Sequence, residues 1–544
     1  MKTTSIFRAA ALAATLLGAT ALTTGTIVAA EVPADAKLAA DQTFKYRVLD
    51  NIRALDPQIV EDVDTAYVAN QIFDGLYIED AHGNPVAGAA ESYDVNADKT
   101  VYTFHLRETK WSNGDPVTAS DWVFGWQRAV DPVLASPYAY YVGLVGVLNA
   151  DDIVAGTKPL TDLGVKAIDD KTFEVTLSGS NPWFIKTLAH STLFAAPKAV
   201  VEKFGADWTK PENIVGNGAY VLVENSPGER VVLKRNPNYW DDAKTVINEV
   251  QFLTINDENQ GLTRWRAGEV DQTDVPAGQY PALKAEMPDT TFSVPQFCTY
   301  YYSINMTETA PEALKNKAVR QALSLAIDRD VIVNNVLQGG QTPAYSFTNP
   351  FTSGFSMPAI AAASMSQAER DTKAKELMVS AGFGPDNPIS LDFIYNTSEA
   401  HKKVATVVGQ MWKEKLGVTL NLQDMEFATL SDMRHEQNYQ LARNAWCGDY
   451  NEASTFLSLY DSKSEQNDSA WANADVDKLL AESKIAADPN VQYKQVEEIA
   501  AEEVPIIPIY FYAKVFVQNA DIKGWPYDNV EQIWYAKDLY RVAE

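Results

Sequence analysis

The sequence predicts an α/β fold divided into several lobes, and three observations support this. Without a predicted leader at 1–30, 514 residues remain, which correspond to two to four lobes at roughly 150 residues each. Residues 389–422 follow the order strand, helix, strand, which is typical of a right-handed parallel crossover. Alternating apolar residues indicate that the first third of the chain is rich in strands.

The strands of the first third are predicted from alternation of apolar and polar residues. Phe44, Tyr46 and Val48 alternate, and the segments Val101–Leu106 and Lys171–Leu177 do the same between turn residues. Side chains of a strand point alternately to its two faces, so these segments each bury one face.

Later in the chain, apolar residues at helical spacing predict helices over 319–327 and 404–412, the second ending at Gly417. Strands are predicted on either side of the second helix, at 389–395 and 418–422. We also expect a strand at Tyr439–Arg443 that leads into a loop over 445–449. Ligands of open α/β sheets bind beyond the carboxyl ends of strands, so residues that follow these strands are site candidates.

The composition is that of an ordinary globular protein, with 46% apolar residues, 22% charged residues and 58 aromatics. Net charge is −27, and becomes −29 once Lys2 and Arg8 leave with the leader. Nucleic acid and anionic membrane surfaces repel such a protein, so neither is an expected partner.

The first thirty residues have the pattern of a secretory signal. A positive start is followed by the apolar stretch Ala9–Leu22 and by the small residues Val28–Ala30. The longest later apolar run, Tyr138–Leu148, is shorter than the roughly 18 residues of a membrane span, and no cysteine stands at the cleavage point. We therefore expect an exported protein of the bacterial periplasm without direct membrane insertion.

Only two cysteines occur, Cys298 and Cys447, and an even pair in an exported chain favours a disulfide over two free thiols. CxxC and HExxH motifs are missing from the sequence, and the five histidines are not spaced within one helical turn. The sequence predicts neither a metal site nor a cofactor.

Motifs of known catalytic sites are also missing. The sequence has no GxSxG elbow, no P-loop and no GxGxxG after a strand, and the adjacent His190 and Ser191 are poorly placed as a base and nucleophile. An enzyme that uses two of the 72 carboxylates remains the minor alternative.

Charged residues of both signs flank an aromatic residue near the second cysteine. Arg443 and Asp449 on either side of Trp446 would suit a zwitterionic ligand, whereas the simpler alternative is an internal ion pair. By the same simpler reasoning, Arg434 and His435 form a solvated turn and His401 is a surface residue.

Six stretches carry a family resemblance: Ala90–Arg128, IVGNGAY (Ile214–Tyr220), LKRNPNYWDDAKTVIN (Leu233–Asn248), CTYYYSIN (Cys298–Asn305), AIDRDVIVN (Ala326–Asn334) and RNAWCGDYNE (Arg443–Glu452). Through these stretches nearly the whole mature chain resembles the periplasmic oligopeptide-binding proteins, which are the solute receptors of ABC importers.

The resemblance implies a fold like that of type II periplasmic binding proteins. Two hinged α/β lobes would enclose a cleft, and a β-rich lobe would be inserted in the first. Lobe I would comprise 31–73, 198–297 and 517–544, lobe II would be 74–197, and lobe III would be 298–516. The expected protein is a monomer without catalysis that hands short peptides to the membrane permease of an ABC importer.

The resemblance also implies site residues. Asp449 aligns with the aspartate that pairs with the peptide α-ammonium, while Arg443 and His401 align with groups that take the peptide carboxylate. Val63 aligns with a residue that contacts the ligand through its backbone, and Cys298 and Cys447 align with a disulfide-bonded pair. Cleft residues align with Glu61, Tyr138, Arg434, His435, Trp446 and Cys447.

Two positions depart from the pattern. Leu337 stands where some oligopeptide receptors have a lysine, and with the following Gly339 and Gly340 it resembles the related murein-peptide receptors. Ala445 replaces an expected glycine. Murein tripeptide or another amine-bearing solute is thus an alternative ligand, and a periplasmic peptidase or a structural envelope protein is the alternative from another class.

Overall fold

A computed structural model describes residues 32–384, 387–486 and 488–543, so the predicted leader lies outside the described residues. Its centre is an eleven-stranded mixed sheet. Ten strands run in the spatial order Thr419–Met425, Ser390–Asn396, Leu441–Cys447, Thr291–Ile304, Ile506–Gln518, Gln272–Asp274, Thr43–Val48, Glu249–Thr254, Arg230–Arg235 and Tyr220–Ser226, and Thr342–Pro343 pairs with Ile506–Gln518.

One end of this sheet contains the predicted parallel crossover. Ser390–Asn396 pairs in parallel with Thr419–Met425, and the connecting helix Glu399–Leu416 buries Val404, Val408 and Trp412 against the core. Gly417 ends the helix with a φ of 73°, a conformation that glycine adopts without steric cost. The strand, helix, strand prediction is confirmed.

The other end of the sheet is built around the predicted first strand. Thr43–Val48 lies between the parallel strands Glu249–Thr254 and Gln272–Asp274, and it buries Phe44, Tyr46 and Val48. The alternation of apolar residues therefore predicted the buried face of this strand correctly.

Two long antiparallel strands join the two ends. Thr291–Ile304 pairs with Ile506–Gln518, and the register shifts between Pro295 and Thr299. A β-bulge of this kind bends and twists a strand pair locally. The chain thus passes twice from one end of the sheet to the other at this irregularity.

The segment between the first helix and residue 197 combines sheet and helix. Its four-stranded antiparallel sheet has the order Ala90–Val95, Val101–Leu106, Thr172–Thr176, Val165–Asp169, and a hairpin pairs Tyr77–Glu79 with Pro85–Ala87. Helix Ala119–Ala129 buries Trp122 and Trp126 beside this sheet. Three short helices complete the segment: Ala139–Leu144, Ala150–Val154 and Phe184–Thr187. Both strands predicted here are confirmed.

Other α-helices surround the large sheet. The helix predicted at 319–327 is Lys317–Ala326, one residue shorter at its end. The rest are Val63–Ile72, Lys198–Phe204, Glu258–Arg266, Tyr280–Glu286, Glu312–Lys315, Arg329–Val331, Ala361–Ser364, Gln367–Ser380, Phe427–His435, Ser454–Leu457, Ala474–Ser483 and Asn490–Glu503; the pair Ile522–Lys523 and Tyr540–Arg541 forms a small sheet.

One strand lies further along the chain than predicted. The strand expected at Tyr439–Arg443 begins at Leu441 and continues to Cys447, so residues 445–447 lie in the strand and not in a loop. Antiparallel pairing explains the extension, because Cys447 stands directly opposite Cys298 at the end of the ladder. The two cysteines form the expected disulfide.

Candidate functional site

A cavity of about 450 Å³ lies between the two ends of the large sheet and the 74–197 segment. It is lined by every residue that the sequence singled out for the site: Glu61, Val63, Tyr138, His401, Arg434, His435, Arg443, Trp446, Cys447 and Asp449. Cys298 and Leu337 also contribute to its wall. Residues separated by up to 388 positions in the chain therefore share one cavity.

Asp449 lies two residues beyond the strand Leu441–Cys447, with a side chain that is only 7% exposed. Tyr138 donates its hydroxyl to Oδ1 at 3.3 Å and Thr455 donates to Oδ2 at 3.5 Å. Burial raises the pKa of Asp449 to about 8, although both hydrogen bonds act in the opposite direction. The carboxylate is thus held by neutral groups in the wall of the cavity.

The histidine beside Asp449 does not supply a positive charge. His190 Nε2 lies 3.6 Å from Asp449 Oδ1, but burial lowers the pKa of His190 to about 3, so its imidazole is neutral at physiological pH. Its ring packs 4.9 Å from Tyr138 and 4.5 Å from Tyr141. Within the described part of the chain, no lysine or arginine forms a salt bridge with Asp449.

Arg443 is the corresponding cation, since no carboxylate of the described residues forms a salt bridge with it. Its guanidinium donates to the Tyr512 hydroxyl at 2.8 Å and to Asn396 Oδ1 at 3.3 Å, and it lies 5.3 Å from the centre of the Tyr300 ring. Burial alone would lower the pKa of Arg443, but Tyr512, Tyr300 and Tyr510 raise it. The alternative of an internal ion pair between Arg443 and Asp449 is wrong, because neither has the other as a partner.

His401 is buried in the first turn of helix Glu399–Leu416, so its interpretation as a surface residue is wrong. Its backbone N–H donates to the N-cap Ser398 Oγ at 3.4 Å, which fixes its position on the helix. Burial, with the nearby Arg443 charge, lowers the pKa of His401 well below its ordinary value. The neutral ring has an Nδ1 atom without a hydrogen-bond partner in the described structure.

Arg434 and His435 end the helix Phe427–His435 and do not form a solvated turn. Arg434 is 8% exposed, and its Nη1 lies 3.2 Å from Asp468 Oδ2, which also accepts from Asn444 at 2.9 Å. His435 Nε2 lies 4.0 Å from Asp468. The Arg434 charge is therefore neutralised inside the protein, unlike that of Arg443.

Glu61 and Val63 lie on the opposite wall, at the start of helix Val63–Ile72. Glu61 pairs with Arg53 and accepts a hydrogen bond from Ser431 at 3.3 Å, while Arg53 lies 3.5 Å from Asp432. These contacts connect the first helix with helix Phe427–His435 across the cavity. The side chain of Val63 is among the exposed large apolar residues at 40%.

Several residues of the cavity wall were not found from the sequence. Asp274 is bound by Arg47 at 2.5 Å and by Lys514 at 2.8 Å, and Glu258 accepts from Ser398 at 2.9 Å. No spacing signal joins these positions, because each comes from a different strand end or helix start. His190 was considered only as a catalytic base, and its position beside Asp449 depends on the tertiary fold.

The described residues contain neither a cluster of metal ligands nor a helix suited to crossing a membrane. In 32–384, 387–486 and 488–543, no three or more His, Cys, Asp or Glu side chains are arranged to hold a metal ion. Of the helices within these ranges, none combines the length and apolar character that crossing a membrane requires.

Solved structures of high similarity allow the arrangement around the cavity to be compared. The structure of the Escherichia coli murein tripeptide binding protein MppA matches with a TM-score of 0.91 at 39% identity, covering 93% of this chain and 100% of that one. The unliganded open form of MppA gives a TM-score of 0.67 at 38% identity, covering 94% and 99%. The present structure is therefore more similar to the first MppA structure than to the unliganded open form.

Sequence comparison gives the same relationship over the whole chain. The periplasmic oligopeptide-binding protein OppA of Salmonella typhimurium is 44% identical over 542 residues, which cover 98% of this chain and 97% of OppA. The family model described as bacterial extracellular solute-binding proteins, family 5 Middle, matches residues 84–468. The α/β fold class predicted from the sequence is confirmed, and the chain belongs to the family 5 bacterial extracellular solute-binding proteins.

Proposed function

We propose that the protein is a periplasmic receptor that binds short peptides in the cavity and delivers them to the permease of an ABC importer. One observation carries the proposal: the cavity wall holds a buried carboxylate without a cation, Asp449, and a guanidinium without a carboxylate, Arg443. The ammonium and carboxylate ends of a peptide are the matching groups. Relatives named for binding oligopeptides and murein peptide support this ligand class.

In this proposal Asp449 binds the peptide α-ammonium, and Arg443 with His401 receives the carboxylate. Tyr138, Trp446 and Cys447 form walls at the Asp449 end. A peptide held as an extended strand would satisfy its amides with protein backbone, including that of Val63, which gives affinity without reading the peptide sequence. Such a site selects ligand termini more strongly than side chains.

The further wall residues Arg434, His435 and Glu61 are assigned to the side-chain pockets. The Arg434 charge is already balanced by Asp468, so we assign it a role in shaping a pocket and not in binding a carboxylate. Polar pockets of this kind accept different side chains when water fills the remaining space.

We further propose that the lobes have the bounds expected from the resemblance: 31–73, 198–297 and 517–544 for lobe I, 74–197 for lobe II and 298–516 for lobe III. The register shift between Pro295 and Thr299 supports a hinge near the first crossing, and the partner strand Ile506–Gln518 would supply the second. Asp449, Arg443 and His401 then belong to lobe III, and Glu61 and Val63 to lobe I.

Murein tripeptide is the second candidate ligand. Leu337 lines the cavity, and an MppA structure matches this chain with a TM-score of 0.91. Both candidates carry an amine for Asp449. Native mass spectrometry of the protein purified without denaturation would distinguish them by the mass of a retained ligand.

The family consists of solute receptors, and we propose that this protein performs no chemistry on its ligand. A peptide incubated with the protein and then released by acid should be recovered with an unchanged mass. Recovery of fragments would instead favour the peptidase alternative.

The proposal is tested by calorimetry with a tripeptide in free and N-acetylated forms. Asp449→Ala should weaken binding of the free peptide by more than about 2 kcal/mol, or roughly 30-fold, because a desolvated ammonium loses its counter-charge. The wild-type protein should bind the acetylated peptide equally poorly. Asp94→Ala, which removes an exposed carboxylate of the 74–197 segment, serves as the control. Equal affinity of the wild type for both peptides would contradict this role of Asp449.

A further inference from the structure

Glu258 is a buried carboxylate that lines the cavity from the lobe I side and is not used by the proposed function. It is the first residue of helix Glu258–Arg266 and is 7% exposed. Ser398 donates to its Oε1 at 2.9 Å, whereas its Oε2 has no hydrogen-bond partner among the described residues. Leaving a buried carboxylate oxygen unpaired is costly, and a cationic group that enters the cavity and reaches Glu258 would supply the missing partner.

The position of Glu258 relates it to the carboxylate end of the site. Arg443 donates to Asn396, the last residue of strand Ser390–Asn396, and Glu258 accepts from Ser398, which precedes helix Glu399–Leu416. Both side chains therefore contact the junction of this strand and this helix. His401, whose backbone N–H is bound by the same Ser398 hydroxyl, also has an unpaired ring nitrogen. A carboxylate, a neutral imidazole and a guanidinium therefore meet around one loop.

The charge of the cavity favours a positive group at this place. Nine Asp or Glu side chains line the cavity against four Lys or Arg side chains. Asp274 is compensated by Arg47 and Lys514, and Asp468 by Arg434. The start of a helix also stabilises a negative charge on Glu258 through the helix dipole. Glu258 has no basic partner among the described residues, and a basic side chain of the ligand would supply one.

We infer that Glu258 is a specificity-determining residue that binds a cationic group on the last residue of the ligand. The inference rests on the proposed function, since Arg443 must first hold the ligand carboxylate. Glu258 and Arg443 would together bind a last residue that carries both the terminal carboxylate and a positively charged nitrogen in its side chain. Peptides that end in lysine, arginine or another diamino acid are then the preferred class.

Calorimetry with two peptide series tests this inference. Peptides of three to five residues, with alanine at all positions but the last, end either in lysine or in norleucine, which has a similar aliphatic chain without the charge. At the best-bound length the wild type should prefer lysine at least tenfold. Glu258→Gln keeps an acceptor for Ser398 but removes the charge, and should reduce this preference at least fivefold. Its affinity for the norleucine peptide reports whether it is folded.

The matched control is Glu269→Gln, which removes an exposed carboxylate just beyond the end of the same helix and should keep the full preference. A wild-type preference below tenfold overturns the inference whether or not the variant folds, and so does a preference that persists in Glu258→Gln. In both cases the norleucine peptides still bind, so the proposed function survives. If neither series binds, the proposed function fails and the inference with it.

Discussion

The chemistry of the site depends on what surrounds single charged residues. Asp449 and Arg434 are both buried, but Arg434 has Asp468 as a partner while Asp449 has only hydroxyls and a neutral histidine. In the proposed function the unpaired group gains a charge partner when a ligand binds, and the paired one does not. Burial state and partner, not residue type, thus separate binding residues from structural ones.

We expect Asp449 to make peptide affinity depend on pH. Its pKa of about 8 means that the ligand-free carboxyl holds a proton below pH 8, and an α-ammonium must displace that proton. Affinity should therefore rise from pH 6 to pH 8, by at most tenfold per pH unit. Above pH 8 it should fall, because the peptide amine, with a pKa of roughly 8, loses its own charge.

Calorimetry at pH 6, 7 and 8 checks this prediction, and at pH 6 the heat in two buffers of different ionisation enthalpy should show release of nearly one proton. Asp449→Asn, which has no titrating group, should bind weakly without the rise. A constant wild-type affinity between pH 6 and 8 would mean that the carboxyl is already ionised before binding.

At the scale of single residues, the sequence predicted the residues that we expect to bind the two ends of the peptide. It did not predict the residues that surround them. Asp449, Arg443 and His401 were found through a family pattern, and the structure places all three at one cavity. His190 and Glu258 were not found, because a single histidine or glutamate has no distinguishing spacing. Their interest comes from burial and from contacts with residues more than 100 positions away.

Among the secondary-structure elements, strand Leu441–Cys447 positions the site most directly. It carries Arg443 towards one part of the cavity and leads to Asp449 at another, and its register is fixed by the Cys298–Cys447 disulfide. The predicted start and end of this strand were wrong because alternation is weak around Ala445. Strands with regular alternation, such as Thr43–Val48, were placed within one residue.

Removing the disulfide should lower the free energy of unfolding, whereas peptide affinity should be less affected. Closure of 149 residues by the bond corresponds to about 5 kcal/mol in the chain-entropy treatment, an upper value for the loss in the Cys298→Ser/Cys447→Ser variant. Thermal unfolding should show a lower Tm, while calorimetry should still detect peptide binding. Thiol titration of the unreduced wild type should find no free thiol, native or unfolded, and two reactive thiols would contradict a structural disulfide.

Two helices that face each other across the cavity form the contact that we expect to hold the closed state. Arg53 and Glu61 precede helix Val63–Ile72 and contact Ser431 and Asp432 of helix Phe427–His435. Glu61→Gln removes one charge from this contact. It should leave the bimolecular rate of capture within threefold but speed peptide release at least threefold, because closure follows capture.

Stopped-flow tryptophan fluorescence separates the two steps. Glu224→Gln is the matched control, since Glu224 forms a similar pair with Arg230 but is half-buried and does not line the cavity. If the ratio of the release rate to the capture rate is the same in the wild type and in Glu61→Gln, this contact plays no part in closure. We expect a backbone role for Val63, so changes of its side chain should act only through the position of the helix.

For the whole molecule, the contacts across the cavity are those that we expect of a closed arrangement. Hydrogen bonds cross the cavity from Tyr138 to Asp449, from Ser398 to Glu258 and from Ser431 to Glu61. These bonds join segments far apart in the chain. The α/β class and the order of elements could be predicted from local patterns. The relative placement of the two ends of the sheet and the 74–197 segment could not, because contacts between remote segments leave no periodic signal.

A receptor of this kind must present different shapes with and without ligand, and a ligand shifts that equilibrium only by the difference in its affinity for the two states. Small-angle X-ray scattering at a peptide concentration that calorimetry shows to be saturating tests this claim most directly. A smaller radius of gyration for the protein with peptide than without it is the predicted result. An identical scattering curve in both conditions would contradict a receptor whose lobes close on a peptide between Asp449 and Arg443.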